Sequence, residues 1–228
     1  MSIFDKITMS PLLAGQYFDE VTTKNQIYVH HTAGNPDPFG VVSWWASTPD
    51  RVATAFIIGG RPTSPASKWK DGQIVQCFNS NRWAYHLGLT AANIKAGNPG
   101  AKDNVSLNKN SIGIEICDWG CLTLGPKGYT TYVNTTVPEA EVQEYTDPFR
   151  GYKYYHKYSQ AQMDTIHELV SYLCTKWSII KDYKGDQIFN IDPRALRGEP
   201  GVWTHASVRP DKTDCHPQPE LISALKSL

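Results

Sequence analysis

The sequence predicts an α/β fold, more broadly α+β, in which a central mixed β-sheet is flanked by helices. Short β-rich segments recur along the chain, segments of helical periodicity lie between them, and one strand and one helix are clear. Interleaved strands and helices bury their apolar sides by packing helices onto a sheet. The chain of 228 residues can bury one core, so we interpret 1–228 as a single domain.

Four segments predict the strands of this sheet. Segment 26–31 (QIYVHH) is β-rich and ends at Thr-Ala-Gly, so it would carry two histidines to a strand end. Segments 53–58 (ATAFII) and 73–78 (QIVQCF) flank a loop containing Gly, Pro and Ser and predict a hairpin-like pair. In 111–119 isoleucines alternate with other residues at the period of two of a pleated strand, so Glu115 would point away from the isoleucine face.

Three segments predict helices. Asp37 followed by Pro38 is typical of a helix start, and this helix should end before Pro49. We assign its tryptophans, Trp44 and Trp45, to the core.

The clearest helix begins at Ser159, which can form a capping box with Gln162 ahead of an apolar series at helical spacing. Pro219 opens a short final helix whose leucines and isoleucine can pack inward.

The segment from about 120 to 158 lacks clear periodicity and is rich in aromatic residues. We predict an insertion without regular elements that is ordered, because its aromatic content argues against disorder. Its tyrosines fit two roles equally well: they could pack the insertion against the domain, or they could stack on the sugar rings of a ligand. They are Tyr129, Tyr132, Tyr145, Tyr152, Tyr154, Tyr155 and Tyr158.

Composition excludes several classes of function. Lysine plus arginine and aspartate plus glutamate each total 22, so no overall charge attracts nucleic acid or an anionic membrane. No stretch approaches the roughly 18 apolar residues of a membrane span, and the N-terminus lacks the pattern of a signal peptide. We therefore expect no membrane insertion and synthesis in the cytoplasm. The odd number of cysteines, 5, favours a reduced interior.

Three groups of side chains can bind a metal or transfer protons. They are His30 with His31, Glu115, and a C-terminal group of His205, Lys212, Asp214, Cys215 and His216. Two histidines plus one carboxylate or thiolate from separate segments would leave the fourth position of a zinc ion open, as in catalytic sites.

A series of strings, in order, resembles the zinc amidases of the N-acetylmuramoyl-L-alanine amidase type 2 family, which share their fold with peptidoglycan recognition proteins. The similarity spans about 26–225. The strings are YVHHTAG, AFIIGG with DGQIVQCF, WAYHLG, NSIGIEI, YSQAQMDTIHELVSYL and THASVRPDKTDCHP.

The resemblance implies that Zn²⁺ is held by His30, His205 and one further ligand. KTDCHP is similar to the KTDPGP form of the motif, which favours Asp214, whereas the affinity of zinc for thiolate favours Cys215. Neighbouring residues rarely point the same way, so we expect one of them to ligate, with Asp214 preferred. His31 is assigned to structure, and His216 to the surface or the surroundings of the site.

The resemblance also implies the catalytic roles. Glu115 would act as general base and Lys212 would stabilise the oxyanion of the tetrahedral intermediate. His86 in WAYHLG would face the cleft and contact substrate, and Thr54, where some relatives have a tyrosine, is assigned to the substrate-binding residues. The expected reaction is hydrolysis of the amide bond between N-acetylmuramic acid and L-alanine in peptidoglycan.

Several alternatives remain open from the sequence. The chain could be a binding module that recognises peptidoglycan without cutting it, or a cysteine hydrolase with Cys215 as nucleophile and His205 as its base. As an amidase, it could be a phage-type endolysin that reaches the cell wall after holin-mediated release, which we prefer, or a cytoplasmic enzyme that recycles muropeptides. We expect a monomer.

Overall fold

A six-stranded mixed sheet forms the centre of the computed structural model, which describes residues 3–96 and 99–228. The strand order is β1-β4-β3-β5-β2-β11, and neighbouring strands are parallel except for the antiparallel pair β3 and β4. The strands are β1 (Ile7–Met9), β2 (Gln26–His31), β3 (Phe56–Ile58), β4 (Ile74–Gln76), β5 (Ser111–Ile116) and β11 (Gly201–Thr204). The predicted α/β fold with a central mixed sheet is confirmed.

The predicted strands are present but mostly shorter than expected. The segment 26–31 is a strand over its whole length, and all its side chains are buried. The hairpin-like pair keeps only three residues in each strand. Helices cover this sheet at α1 (Pro38–Ala46), α2 (Ala91–Ala96), α3 (Asn104–Lys109), α4 (Gln160–Trp177), α5 (Pro193–Leu196) and α6 (Pro219–Lys226).

The capping residues predicted from the sequence start their helices. The Asp37 side chain accepts the Phe39 N–H at the start of α1, and Ser159 and Gln162 form the reciprocal capping box of α4. The assignment of both tryptophans of α1 to the core was wrong for Trp44, which is 60% exposed, whereas Trp45 is 5% exposed. Among the described residues, no helix is long and apolar enough to cross a membrane.

The segment expected to lack regular elements forms a second, antiparallel sheet, so that expectation was wrong. Its order is β8-β7-β6-β10-β9. The strands are β6 (Cys121–Gly125), β7 (Gly128–Thr130), β8 (Thr136–Val137), β9 (Val142–Phe149) and β10 (Tyr152–His156). Three residues, Leu122, Val137 and Val142, form a small core of its own. A sheet this narrow buries few side chains, which explains why its periodicity is weak.

A buried ion pair anchors the second sheet to the first. His156 at the end of β10 contacts Asp118, just beyond β5, with 2.6 Å between Nδ1 and Oδ2. Burial opposes the charged form of His156, but the adjacent carboxylate outweighs it, so the pKa of His156 is raised above its usual value. Both side chains are almost fully buried, so removing one of them would leave the other as an unpaired buried charge, which is strongly destabilising.

Replacing His156 with glutamine is expected to lower the free energy of unfolding by about 3 kcal/mol at about pH 6, and by clearly less at about pH 9. Because the pKa is raised, the stability from the charged imidazole is complete below the unfolded value of about 6.5 and is lost as the pH rises through the folded value. Urea unfolding at both pH values measures this difference. His167→Gln, on the half-exposed side of α4, is the control, and an equal cost at both pH values for His156→Gln would contradict the charged pair.

Candidate metal centre and catalytic cleft

Three parallel strands end side by side and bring separate segments of the chain together. In the pairing of β2 with β5, His30 lies level with Glu115. On the other side, Thr204 of β11 pairs with Val29, so His205 follows directly beside His30. The ring centroids of these two histidines are 4.4 Å apart. The site therefore lies at the carboxyl ends of parallel strands, where open α/β sheets bind their ligands.

Asp214, from the loop after β11, completes this group. Its Oδ2 lies 2.9 Å from Nδ1 of His205 and 3.4 Å from Nδ1 of His30. Cys215 is fully buried and lies outside this metal-capable group, which consists of His30, His205 and Asp214 among the described residues. Burial also raises the pKa of the Cys215 thiol well above its usual value, which disfavours a thiolate.

A chain of hydrogen bonds determines which nitrogen of His30 faces Asp214. The Ser111 hydroxyl donates to the Leu107 carbonyl at 2.7 Å, so its oxygen accepts the Nε2–H of His86 at 2.9 Å. Nδ1 of His86 is then an acceptor, and Nε2 of His30 donates to it at 3.0 Å. Nδ1 of His30 is therefore left with a lone pair directed at Asp214.

The second histidine is oriented in the same way by a backbone carbonyl. Nε2 of His205 donates to the Leu87 carbonyl at 3.0 Å, so Nδ1 is the nitrogen that faces Asp214. The Leu87 peptide is held in turn, because the Asn108 side-chain oxygen accepts the backbone N–H groups of His86 at 2.8 Å and Leu87 at 3.2 Å. Such outer contacts set the orientation and basicity of histidine ligands.

Two imidazole nitrogens and a carboxylate oxygen thus converge, an arrangement that suits a shared cation. Burial lowers the pKa of His30 to about 4, so its ring is neutral and its lone pair is available at neutral pH. Neutral histidines with an ionised carboxylate fit a zinc ion with an open fourth position.

Replacing His86 with phenylalanine is expected to weaken zinc binding by about 10- to 100-fold, because Nε2 of His30 loses its acceptor and the ring its fixed orientation. Competition with a chromophoric chelator measures the zinc affinity. Ser111→Ala, which removes the next link of the same chain, should produce a smaller change in the same direction. Unchanged zinc affinity in the His86 variant would show that these hydrogen bonds do not orient His30 for metal binding.

The residues around the three acceptors form a cleft of about 620 Å³. Glu115, Lys212 and His86 line it. Burial and the nearby Asp214 carboxylate raise the pKa of Glu115 well above its usual value. Thr54 is not brought into the cleft, because it is fully buried and its hydroxyl donates to the Phe56 carbonyl. Thr54 is therefore not among the residues that line the cleft.

A second group of metal-capable side chains, His31, Asp118 and His216, lies within the protein. Of the two locations expected for His216, the surface and the surroundings of the site, its full burial excludes the surface. Its Nε2 donates to the His156 carbonyl, which leaves Nδ1 to accept the Tyr145 hydroxyl at 2.7 Å. Asp118 is occupied by His156 and by the Gly120 N–H. Hydrogen bonds already satisfy most of these groups, so this second group joins the two sheets.

Several residues around the cleft were missed by sequence reasoning. Asn108 and the Leu87 carbonyl hold the histidines in place but carry no motif signal, since one is a lone amide and the other is backbone. Trp44 was assigned to the core, and Tyr132 was left undecided between packing and ligand binding. Both line the cleft. All five cysteines are free.

Comparison with known proteins identifies the family. The family model of N-acetylmuramoyl-L-alanine amidase matches residues 21–219. The chain belongs to this family.

Solved structures show the same fold at low sequence identity. PlyL is 14% identical with a TM-score of 0.52, and the alignment covers 96% of each chain. The PlyG catalytic domain is 16% identical with a TM-score of 0.51 over 97% of this chain and 93% of that one. Staphylococcus aureus hydrolase AmiA, solved with its ligand, is 14% identical with a TM-score of 0.52 over 96% and 80%. No curated protein matches the sequence significantly.

Proposed function

We propose that the protein is a zinc-dependent amidase that hydrolyses the bond between N-acetylmuramic acid and L-alanine of the peptidoglycan stem peptide. The observation that carries this proposal is the convergence of His30, His205 and Asp214 as acceptors in a cleft that also holds Glu115 and Lys212. Membership of the amidase family supports the same reaction.

The chemistry divides between the ion and the residues of the chain. When bound by His30, His205 and Asp214, zinc would lower the pKa of a water molecule and polarise the scissile carbonyl. Glu115 takes the proton of the attacking water, whose oxygen adds to the carbonyl carbon. The ammonium group of Lys212 donates to the oxyanion that develops on the carbonyl oxygen.

Collapse of the intermediate completes the reaction. Glu115 returns its proton to the nitrogen of L-alanine as the carbon–nitrogen bond breaks. The products are a muramic acid carboxylate and a stem peptide with a free amino terminus. The raised pKa of Glu115 suits this role, because a carboxylate with a higher affinity for protons is a better base for the attacking water.

The direct test uses purified peptidoglycan and the zinc-loaded protein. Mass spectrometry should detect stem peptides that begin with L-alanine, chelation should stop their release, and added zinc should restore it. Metal analysis should give about one zinc ion per chain. Binding to peptidoglycan without any release of peptides would instead identify a recognition module.

Replacing Cys215 with serine is expected to leave activity within about twofold of the wild type, because the buried thiol lies outside the metal-capable group. This variant separates the metalloamidase from a cysteine hydrolase, in which His205 would activate the thiol. Loss of activity with retained zinc would support the thiol mechanism. Loss of zinc would place the sulfur among the ligands in place of Asp214.

We further propose that the enzyme acts on the cell wall as a phage-type endolysin, made in the cytoplasm and released by a holin. Similarity in fold to a mutant endolysin from Bacillus subtilis supports this role, with 16% identity and a TM-score of 0.51. Rates on intact sacculi and on small soluble muropeptides test it. A strong preference for the soluble fragments would favour a recycling amidase.

A further inference from the structure

Two exposed aromatic side chains from separate elements stand at the edge of the catalytic cleft. Trp44, from α1, is 60% exposed, and Tyr132, between β7 and β8, is 70% exposed. Both line the cleft that contains the three acceptors, as does the 40% exposed Val52. Large apolar side chains that remain exposed around a cleft are typical of a surface that a ligand covers.

The turn that carries Tyr132 is held in a defined conformation. The N–H of Thr131 donates to the Thr135 carbonyl at 2.9 Å, and the N–H of Asn134 donates to the Thr131 carbonyl at 2.9 Å. The Thr131 hydroxyl is buried and accepts the N–H of Thr135 at 3.1 Å. These contacts fix the backbone on both sides of Tyr132, so its ring is presented to the cleft without a large loss of loop entropy on binding.

The second sheet holds this turn in place relative to the metal-capable group. Its small core, Leu122, Val137 and Val142, packs against Trp119, Tyr129 and Tyr154, and the pair of His156 with Asp118 joins the sheet to the end of β5. Tyr132 takes no part in that core. The Tyr132 ring therefore does not stabilise the sheet by burial. Its exposed position at the cleft indicates a role in binding a ligand.

The charges of the cleft indicate which part of a substrate the aromatic residues contact. Lys212 is the one lysine or arginine among the described residues that line it, and its ammonium group is assigned to the oxyanion. The carboxylates of a stem peptide would find no further cation there. A pyranose ring is uncharged and has apolar C–H faces with polar edges, which match the flat faces and polar groups of Trp and Tyr.

We propose that Tyr132, together with Trp44, forms a sugar-binding subsite that receives the N-acetylmuramic acid ring. The subsite rests on the proposed amidase function, and it assigns to the second sheet the role of selecting glycan-linked substrates. Tyr132 supplies a stacking surface for the sugar, while the scissile amide lies toward Glu115 and the metal ligands.

The test measures binding of a peptide-free N-acetylglucosamine–N-acetylmuramic acid oligosaccharide to the full-length protein kept free of metal by chelation. NMR titration follows the tryptophan indole N–H signals and gives the dissociation constant. Tyr132→Ala should weaken binding by about tenfold, and Tyr132→Phe by no more than about twofold, because the ring is kept. Tyr152→Ala, an exposed tyrosine of the same sheet outside the cleft lining, is the matched control and should bind as the wild type does.

Three results would overturn the subsite. The first is wild-type glycan affinity in Tyr132→Ala, and the second is no glycan binding by the wild type. The third is a loss in Tyr132→Ala that affects the free stem peptide and spares the glycan, which would make these aromatic residues a peptide-binding surface. Since this assay needs neither zinc nor turnover, its failure leaves the release of stem peptides by the wild type as an independent test of the amidase function.

Discussion

Asp214→Asn is expected to remove bound zinc and to lower the rate of stem-peptide release by about a thousandfold or more. The asparagine keeps the size of the side chain but replaces a charged oxygen ligand with a neutral amide. Metal analysis of the purified variant and the peptide-release assay measure the two effects. Asp211→Asn, an exposed carboxylate of the same loop that pairs with Arg209, is the matched control and should keep both zinc and activity.

The stability of this variant without metal separates a ligand from a structural ion pair. In metal-free protein Asp214 faces the lone pairs of His30 and His205, whereas an asparagine amide can donate to them. We therefore expect metal-free Asp214→Asn to unfold within about 1 kcal/mol of metal-free wild type. Added zinc should raise the unfolding midpoint of the wild type and should leave that of the variant unchanged. Full zinc content in the variant would contradict the ligand assignment.

The sequence allowed prediction of those elements whose side chains alternate between clear environments. β5 was recognisable because its isoleucines are buried on one face, and α4 because a capping box precedes an apolar stripe. β11 was missed because all four of its residues are buried, so the strand shows no alternation of buried and exposed positions. This strand nevertheless places His205 beside His30. The second sheet was missed because its strands are short or largely exposed, so the alternation that marks a strand is weak.

The candidate site could also be predicted only in part from the sequence. His30, His205 and Glu115 could be proposed because ordered motifs surround them, yet Asp214 and Cys215 are neighbours that a motif cannot separate. The structure distinguishes them by direction, since Asp214 faces the histidines and Cys215 is buried elsewhere. Trp44 was misassigned because an apolar residue type gives no information on whether a helix face meets the core or a cleft. The supporting carbonyl of Leu87 has no side-chain identity to detect.

The second large effect is expected for the general base. Glu115→Gln should lower kcat by about 10²- to 10⁴-fold while zinc content and KM stay close to wild type. Glutamine keeps the shape of the side chain and its position beside His30 in the pairing of β5 with β2, but it cannot accept the proton of the attacking water. Glu144→Gln, on the exposed side of β9, is the control for a change of charge away from the cleft.

The assignment of Glu115 as general base is testable because its replacement should lower kcat without lowering the zinc content. A carboxylate that only helped to hold the metal would lose zinc and activity together when neutralised. One that only balanced the charge of Lys212 would shift stability and leave the catalytic rate of the folded enzyme nearly intact. Proton transfer by Glu115 predicts a different result, in which the Glu115→Gln protein keeps its zinc and binds substrate normally. Its turnover is at least about a hundredfold slower, and neither of the other two roles accounts for that combination.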